Sequence, residues 1–290
     1  MFDTRLLGRL DTVPLARWLL LGASVYQQPV DTTGLAWQVA DIMEPAADPE
    51  RDVRMRATAK LLDEAERAGV SPEEHGLTPA QREQFANDLA ELQRPPLVVP
   101  AGFDAALDAL LGLGLIAPVA EPAEENTATR YLVHRWTATA LSSFADSEEL
   151  IDAHRRAAQH WRWRAAVAPQ DRAADIFQLL EARSHHRSAG NLDEALAATY
   201  EVTNQLHTWG AWTWEDELCR ETLTWVPPRS WPAAALTHQL GMIANLRGDY
   251  DGAERRYQDS LAIKEEIGDR AGVARSFHQL GMIAQARGDY

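Results

Sequence analysis

Nine histidines and a single cysteine are the side chains through which this chain could ligate a metal or start nucleophilic chemistry. Cys219 stands alone, which excludes intrachain disulfides and cysteine-based zinc sites; a nucleophilic role would need a base nearby, and a plain buried thiol is expected instead. The pairs His185-His186 and His154/His160 invite a metal, but no cysteine or carboxylate cluster completes either of them. They are expected at the surface, and no metal site is expected. No GxxxxGK[ST] occurs, so these residues by themselves should not hydrolyse a nucleotide; Leu111-Gly112-Leu113-Gly114 reads as a helix end rather than a phosphate loop. Neither a Ser-His-Asp set nor paired carboxylates can be argued from spacing. The expectation is therefore a chain with no catalytic residue, no metal and no cofactor of its own.

Two groupings suit binding better than catalysis. Five of the ten tryptophans (Trp209, Trp212, Trp214, Trp225 and Trp231) fall within 23 residues, a density that forms either an aromatic ligand pocket or, as we expect, packing beside the joint at Pro227-Pro228. His238, Met242 and Asn245 lie at i, i+4, i+7 and share one helix face, and His278, Met282 and Gln285 repeat that stripe 40 residues later.

The elements that carry these residues announce themselves by repetition. His238-Gln239-Leu240-Gly241-Met242-Ile243-Ala244 recurs letter for letter as His278-Gln279-Leu280-Gly281-Met282-Ile283-Ala284, and Arg247-Gly248-Asp249-Tyr250 recurs as Arg287-Gly288-Asp289-Tyr290. Within one period the spacing predicts a helix over 233–247, a turn at Gly248-Asp249 and a second helix over 251–267 capped by Asp251. Ala253, Tyr257, Ser260, Leu261 and Lys264 form a small-and-aromatic stripe that should face Leu240 and Gly241. A weaker copy at Gly190-Asn191-Leu192-Asp193-Glu194-Ala195-Leu196 predicts further helices over 171–188, 192–207 and 213–225.

These residues resemble a tetratricopeptide repeat: Leu240-Gly241, Ala253, Tyr257 and Ser260 occupy that family's Leu-Gly, Ala, aromatic and small positions, while Thr237 and Ala244 depart from its usual Trp and Tyr. The resemblance implies that His238, Met242, Asn245, His278, Met282 and Gln285 line a concave groove for a protein or peptide partner or a small ligand. It also implies more repeats than the sequence holds, because the helix before Tyr290 lacks its mate.

Ahead of the repeats, helices are expected over 11–24, 33–43 and 103–113, followed by short strands at 115–119 and 130–134 joined by a polar acidic loop: a winged helix. A charged helical insertion at about 48–95 interrupts it, with helices after Asp48 and from Thr78-Pro79 to Gln93, the second opened by a Thr78/Gln81 capping box. Charge bears on what this part can touch. Residues 1–150 hold 12 Lys/Arg against 24 Asp/Glu, nearly all of the excess behind the net charge of -15, and such a surface repels phosphate backbones. The third helix, which in a DNA-reading winged helix needs cations or amides, offers Asp104 and Asp108. Nucleic acid is therefore not expected as a partner. Nor is a membrane, for no run of eighteen apolar residues and no signal peptide exists, and the cytoplasm is the expected compartment.

The order of winged helix, Tyr131-Leu132-Val133-His134-Arg135-Trp136, Ala153-His154-Arg155-Arg156-Ala157-Ala158 and repeats resembles the C-terminal arm of bacterial STAND-type (NB-ARC/NACHT-like) signalling ATPases. That likeness implies an upstream nucleotide-binding domain as partner, ADP or ATP as cofactor of the longer protein, and His134 as a sensor of nucleotide state, although Val133 and Arg135 depart from the family's Met and Asp. The expected architecture is mainly α: a winged-helix-like domain (1–145), a helical linker with degenerate repeats (146–232), and an α-solenoid of tetratricopeptide-type hairpins (233–290). The expected function is non-catalytic regulation and partner or ligand sensing; the alternatives are a free-standing repeat adaptor and a winged-helix transcription regulator.

Overall fold

The structure, a computed structural model, describes residues 10, 12–43, 48–119, 128–167 and 172–288. It is mainly helical, and the chain divides into two compact units, Met1–Ala189 and Gly190–Tyr290.

In the first unit, α1 (Ala16–Ser24), α2 (Thr32–Trp37) and α5 (Phe103–Gly112) enclose a core built on Leu19, Leu20, Leu35, Leu107 and Leu110. Strands β3 (Ile116–Val119) and β4 (Arg130–Val133) pair antiparallel with Ile116 opposite Val133 and Val119 opposite Arg130. Val30, between α1 and α2, adds a bridge to the other side of β4: its N–H donates to Tyr131 O at 3.0 Å and its carbonyl accepts from Tyr131 N–H at 2.7 Å. The three helices and the hairpin expected from the sequence are thus present; the acidic loop expected between the strands includes residues 120–127, outside the described residues.

Two helix boundaries differ from expectation. α1 begins at Ala16 rather than at residue 11, because Leu15 takes φ 68°, the one positive φ of a non-glycine residue among those described, and a left-handed residue cannot continue a helix. α2 ends at Trp37 rather than at residue 43. The Arg156 guanidinium takes the carbonyls of Trp37 (3.3 Å) and Ala40 (2.8 Å), and Asp41–Ile42 becomes β1, paired with β2 (Leu97–Val98). This two-residue ribbon is the neck from which the insertion leaves and returns. The insertion is α3 (Pro49–Ala68), capped by Asp48, packed on α4 (Pro79–Leu92), whose Thr78/Gln81 capping box is complete. Few apolar side chains hold them; the Arg54 fork on Asp88 (3.0 and 3.1 Å) joins them instead.

α6 (Arg135–Phe144) and α7 (Ser147–Val167) pack on α1, and α8 (Arg172–Ser188) packs along α7. Ala153, Ala157 and Trp161 of α7 are buried in the same core as α1 and α5, so residues 146–189 belong to the body of the front unit, where the sequence reading separates 1–145 from 146–232. α7 also clamps α2 at both ends. Arg164 pairs with Asp31, the N-cap of α2, at 2.7 Å, and Arg156 holds the C-terminal carbonyls.

The second unit is a succession of helices, each packed on the next: α9 (Leu192–Thr208), α10 (Trp212–Leu223), α11 (Trp231–Leu246), α12 (Tyr250–Glu266) and α13 (Arg270–Arg287). α9 to α12 follow the predicted helices to within two residues. The turns after α11 and α12 reverse through Gly248 (φ 76°) and Gly268 (φ 77°), a backbone region where a Cβ is strained. The cap of α12 is Asp249, not Asp251: Asp249 accepts from Gly252 N–H at 2.9 Å, while Asp251, inside the first turn, pairs with Arg287. Asp269 caps α13 through Gly272 N–H in the same way, at 2.8 Å.

Ala253, Tyr257, Ser260 and Lys264 are buried, as their stripe predicts. A Cβ on Gly241 would meet the Tyr257 ring at 2.8 Å, so glycine makes the seat for that ring, and Ser260 Oγ donates across to Ala234 O at 2.8 Å.

Candidate functional site

The stripe expected to line a groove has two environments. On α11 it is largely spent on packing: His238 is half-buried with its ring 5.0 Å from that of Tyr257, and Lys264 Nζ lies 3.3 Å from its Nδ1. Burial, and then the charges of Lys264 and Arg275, push the His238 pKa down to about 4. Met242 packs on Ala253, Tyr257 and Ile283, and Asn245 is half-buried. On α13 the copies His278, Met282 and Gln285 are exposed, and Phe277 beside them is 56% exposed. A Cβ on Gly281 would meet nothing within 4 Å, where its copy Gly241 meets Tyr257. The same letters thus meet different surroundings in α11 and α13.

Lys264 is the least expected member of this neighbourhood. It is buried with its Nζ donating to Ser276 Oγ at 3.0 Å, and burial lowers its pKa. Of the tryptophan cluster, Trp212 and Trp225 pack against the core that contains Leu196, Cys219, Val226, Leu236 and Leu240, while Trp209 and Trp231 are exposed, and Cys219 is the buried thiol expected of it. Below them Glu215, wholly buried, accepts from His207 Nδ1 at 3.2 Å and from Gln239 Nε2, tying α9, α10 and α11 together.

Residues 232–290 match the tetratricopeptide repeat family. The chain is thus a helical protein that contains tetratricopeptide repeats, a fold whose copies generally mediate protein interactions. It matches no curated protein sequence. Among solved structures it is similar to one described as the crystal structure of BtubC (BKLC) from P. vanneervenii, with 13% identity, 83% of this chain and 86% of that chain covered, and a TM-score of 0.37. The match to the repeat family rests on α11, α12 and α13.

His134 follows β4 directly and caps α6, with Nδ1 accepting from Trp136 N–H at 3.3 Å. Its side chain is exposed, next to Trp136, which is 77% exposed.

The histidines expected at the surface are not there. His160, His185 and His186 are buried and His154 is half-buried, with His154 Nδ1 of α7 2.9 Å from His185 Nδ1 of α8. His160 is packed among Tyr26, Trp37 and Trp161 at ring distances of 5.0–5.7 Å, and Gly34 leaves room for it, since a Cβ there would lie 2.8 Å from its Cε1. Burial pushes both His160 and His185 down to about 3 and raises the pKa of Glu181. No group of three or more His, Cys, Asp or Glu able to hold a metal exists among the described residues.

Beside His160 the front unit holds a cavity of about 400 Å³, walled by α7, α8, the Val30 segment and Arg130 of β4. His160, Trp161 and Arg164 of α7 face it at i, i+1, i+4, and Phe177, Gln178 and Glu181 of α8 repeat that spacing. Buried polar atoms on its walls have no hydrogen-bond partner in the protein: both His160 ring nitrogens, Trp161 Nε1, Arg164 Nε, Gln178 Oε1 and Glu181 Oε2. Each such atom costs roughly 1–3 kcal/mol when left unsatisfied. Sequence reasoning missed this site. No local pattern marks it, because polar residues occupy both the buried and the exposed faces of α7 and α8.

Proposed function

We propose that this chain is a non-catalytic regulatory region in which tetratricopeptide hairpins bind a protein partner and the front unit relays that state, as in the C-terminal arm of a STAND-type signalling ATPase. One observation carries the binding role: residues 232–290, which form α11, α12 and α13, match the tetratricopeptide repeat family, whose copies generally mediate protein interactions.

The relay role is supported by the order of elements in the front unit. α1, the Val30 bridge, α2, α5 and the β3/β4 hairpin follow the winged-helix order, and α5 exposes Asp104 and Asp108 toward any phosphate it would meet. That favours protein contact over DNA contact. In this reading His134, exposed at the end of β4, donates from its ring to the phosphate of ADP held by a nucleotide-binding domain on the longer protein, and the protein acts in the cytoplasm.

The test is nucleotide retention by the natural full-length protein. Purified and then denatured, it should release close to one ADP per chain, and His134→Ala should reduce that amount several-fold. Equal retention in the mutant removes the role of His134; no retained nucleotide in the wild type removes the ATPase setting and leaves the free-standing adaptor. The transcription-regulator alternative predicts retention of duplex DNA by this chain on a filter at low salt, where electrostatic binding is strongest, and we expect none.

A further inference from the structure

The cavity between α7 and α8 is independent of the function proposed above. Its two sides differ in kind. On the α7 side Arg164 gives one guanidinium nitrogen to Asp31 at 2.7 Å and keeps its Nε without an acceptor, Trp161 Nε1 is a second donor without an acceptor, and Arg130 adds positive charge. On the α8 side Gln178 Oε1 and Glu181 Oε2, one helical turn apart, are acceptors without donors. His160, fully buried with both ring nitrogens unpartnered, lies on the wall as a neutral imidazole, able to donate from one nitrogen and accept at the other. Between these sides Pro29, Val30, Trp161 and Phe177 supply apolar surface.

An occupant must therefore bring acceptors, preferably a carboxylate, to the arginine side, and donors, preferably an ammonium, to the Gln178/Glu181 side, with an apolar body between them. A guanidinium Nε already flanked by one carboxylate pair takes a second carboxylate with the strength of a charge-assisted bond, and two acceptors on adjacent turns suit a group with three N–H donors. The volume lies within the range of small-molecule sites. We propose that this cavity binds a free α-amino acid with an apolar side chain, its carboxylate on the Arg164/Arg130 side and its ammonium on Gln178 and Glu181.

The experiment is calorimetric titration of the whole chain with L-phenylalanine and L-leucine, alongside 3-phenylpropanoate, which lacks the ammonium, and phenethylamine, which lacks the carboxylate. Saturable binding of at least one amino acid is expected, with each truncated analogue of L-phenylalanine weaker by about tenfold or more, the loss of one charged hydrogen bond. Gln178→Leu and Glu181→Gln should weaken the amino acid by a similar factor; both positions are half-buried on α8 and carry acceptors without donors, so neither change should lower the thermal unfolding of the unliganded chain. Absence of saturable binding by either amino acid overturns the proposal and assigns the polar walls to solvent. So does equal affinity for 3-phenylpropanoate, or undiminished binding in both variants when their unfolding matches the wild type. Binding of adenosine in place of the amino acids would overturn it in favour of a heteroaromatic ligand.

Discussion

Gly241 and Gly281 are the same letter in the same seven-residue repeat, yet the molecule asks different things of them. At Gly241 a methyl group would lie 2.8 Å from two carbons of the Tyr257 ring, and Tyr257 is itself fully buried, so neither partner has room to yield. At Gly281 nothing stands within 4 Å. Gly241→Ala should lower the stability of the chain by about 1–3 kcal/mol through overpacking, while Gly281→Ala, in an open helix interior, should be neutral or stabilise by up to about 1 kcal/mol through helix propensity. Urea unfolding of the two variants side by side checks both signs. Two equal effects would mean that the Tyr257 seat is not the reason for glycine here.

At the scale of elements, the least self-sufficient helix is α2. Six residues cannot sustain a helix in water, and this one stands because its neighbours hold its ends. Asp31 does two jobs: Oδ1 accepts from Gly34 N–H at 3.0 Å as the cap, and Oδ2 accepts from Arg164 at 2.7 Å. Asp31→Ala removes a cap and leaves a half-buried guanidinium without its carboxylate, so a loss of about 2–3 kcal/mol is expected. Asp31→Asn keeps the cap and should cost less. Denaturant midpoints of the front unit, followed by hydrogen exchange of the α2 amides, distinguish the two; identical losses would place the whole effect on the ion pair. The same clamp explains why the helix expected to run to residue 43 stops at Trp37. Hydrophobic periodicity continues past that point, but a guanidinium from a helix more than a hundred residues away takes the carbonyls of Trp37 and Ala40.

For the molecule as a whole, acidity should act through the buried histidines of the front unit. His160 and His185 are pushed by burial to about 3, below the ordinary 6.5 that they regain on unfolding. Above pH 6.5 neither state binds the proton and stability is at its full value. Between 6.5 and 3 the unfolded chain takes up the protons and the native one does not, so stability falls as the pH falls, by up to about 1.4 kcal/mol per pH unit for each histidine, and the fall ends near pH 3. Urea midpoints of the front unit from pH 7.5 to 4 should show this slope. His160→Phe, surrounded by the rings of Tyr26, Trp37 and Trp161, should make it shallower by one proton; an unchanged slope in that variant would show that His160 is not a source of it.

The sequence by itself determined the local and the repeated. Helix spans in the second unit, the glycine turns, the Thr78 capping box and the buried face of α12 are set by residues within a few positions of each other, and the recurrence at 40 residues required α11 and α13 to be alike. Wherever the deciding partner is distant in sequence, tertiary structure alone decided. His160, His185 and His186 look like solvated histidines until α7 and α8 lie against each other, because their spacing does not distinguish an inward from an outward face when polar residues occupy both. His238 and His278 are indistinguishable as letters, and only the presence of Tyr257 and Lys264 beside one of them makes it a packing residue. The cavity belongs to the same class: its walls come from residues 28–31, Arg130, α7 and α8, and burial, which no local pattern records, is what leaves their polar atoms in need of a partner.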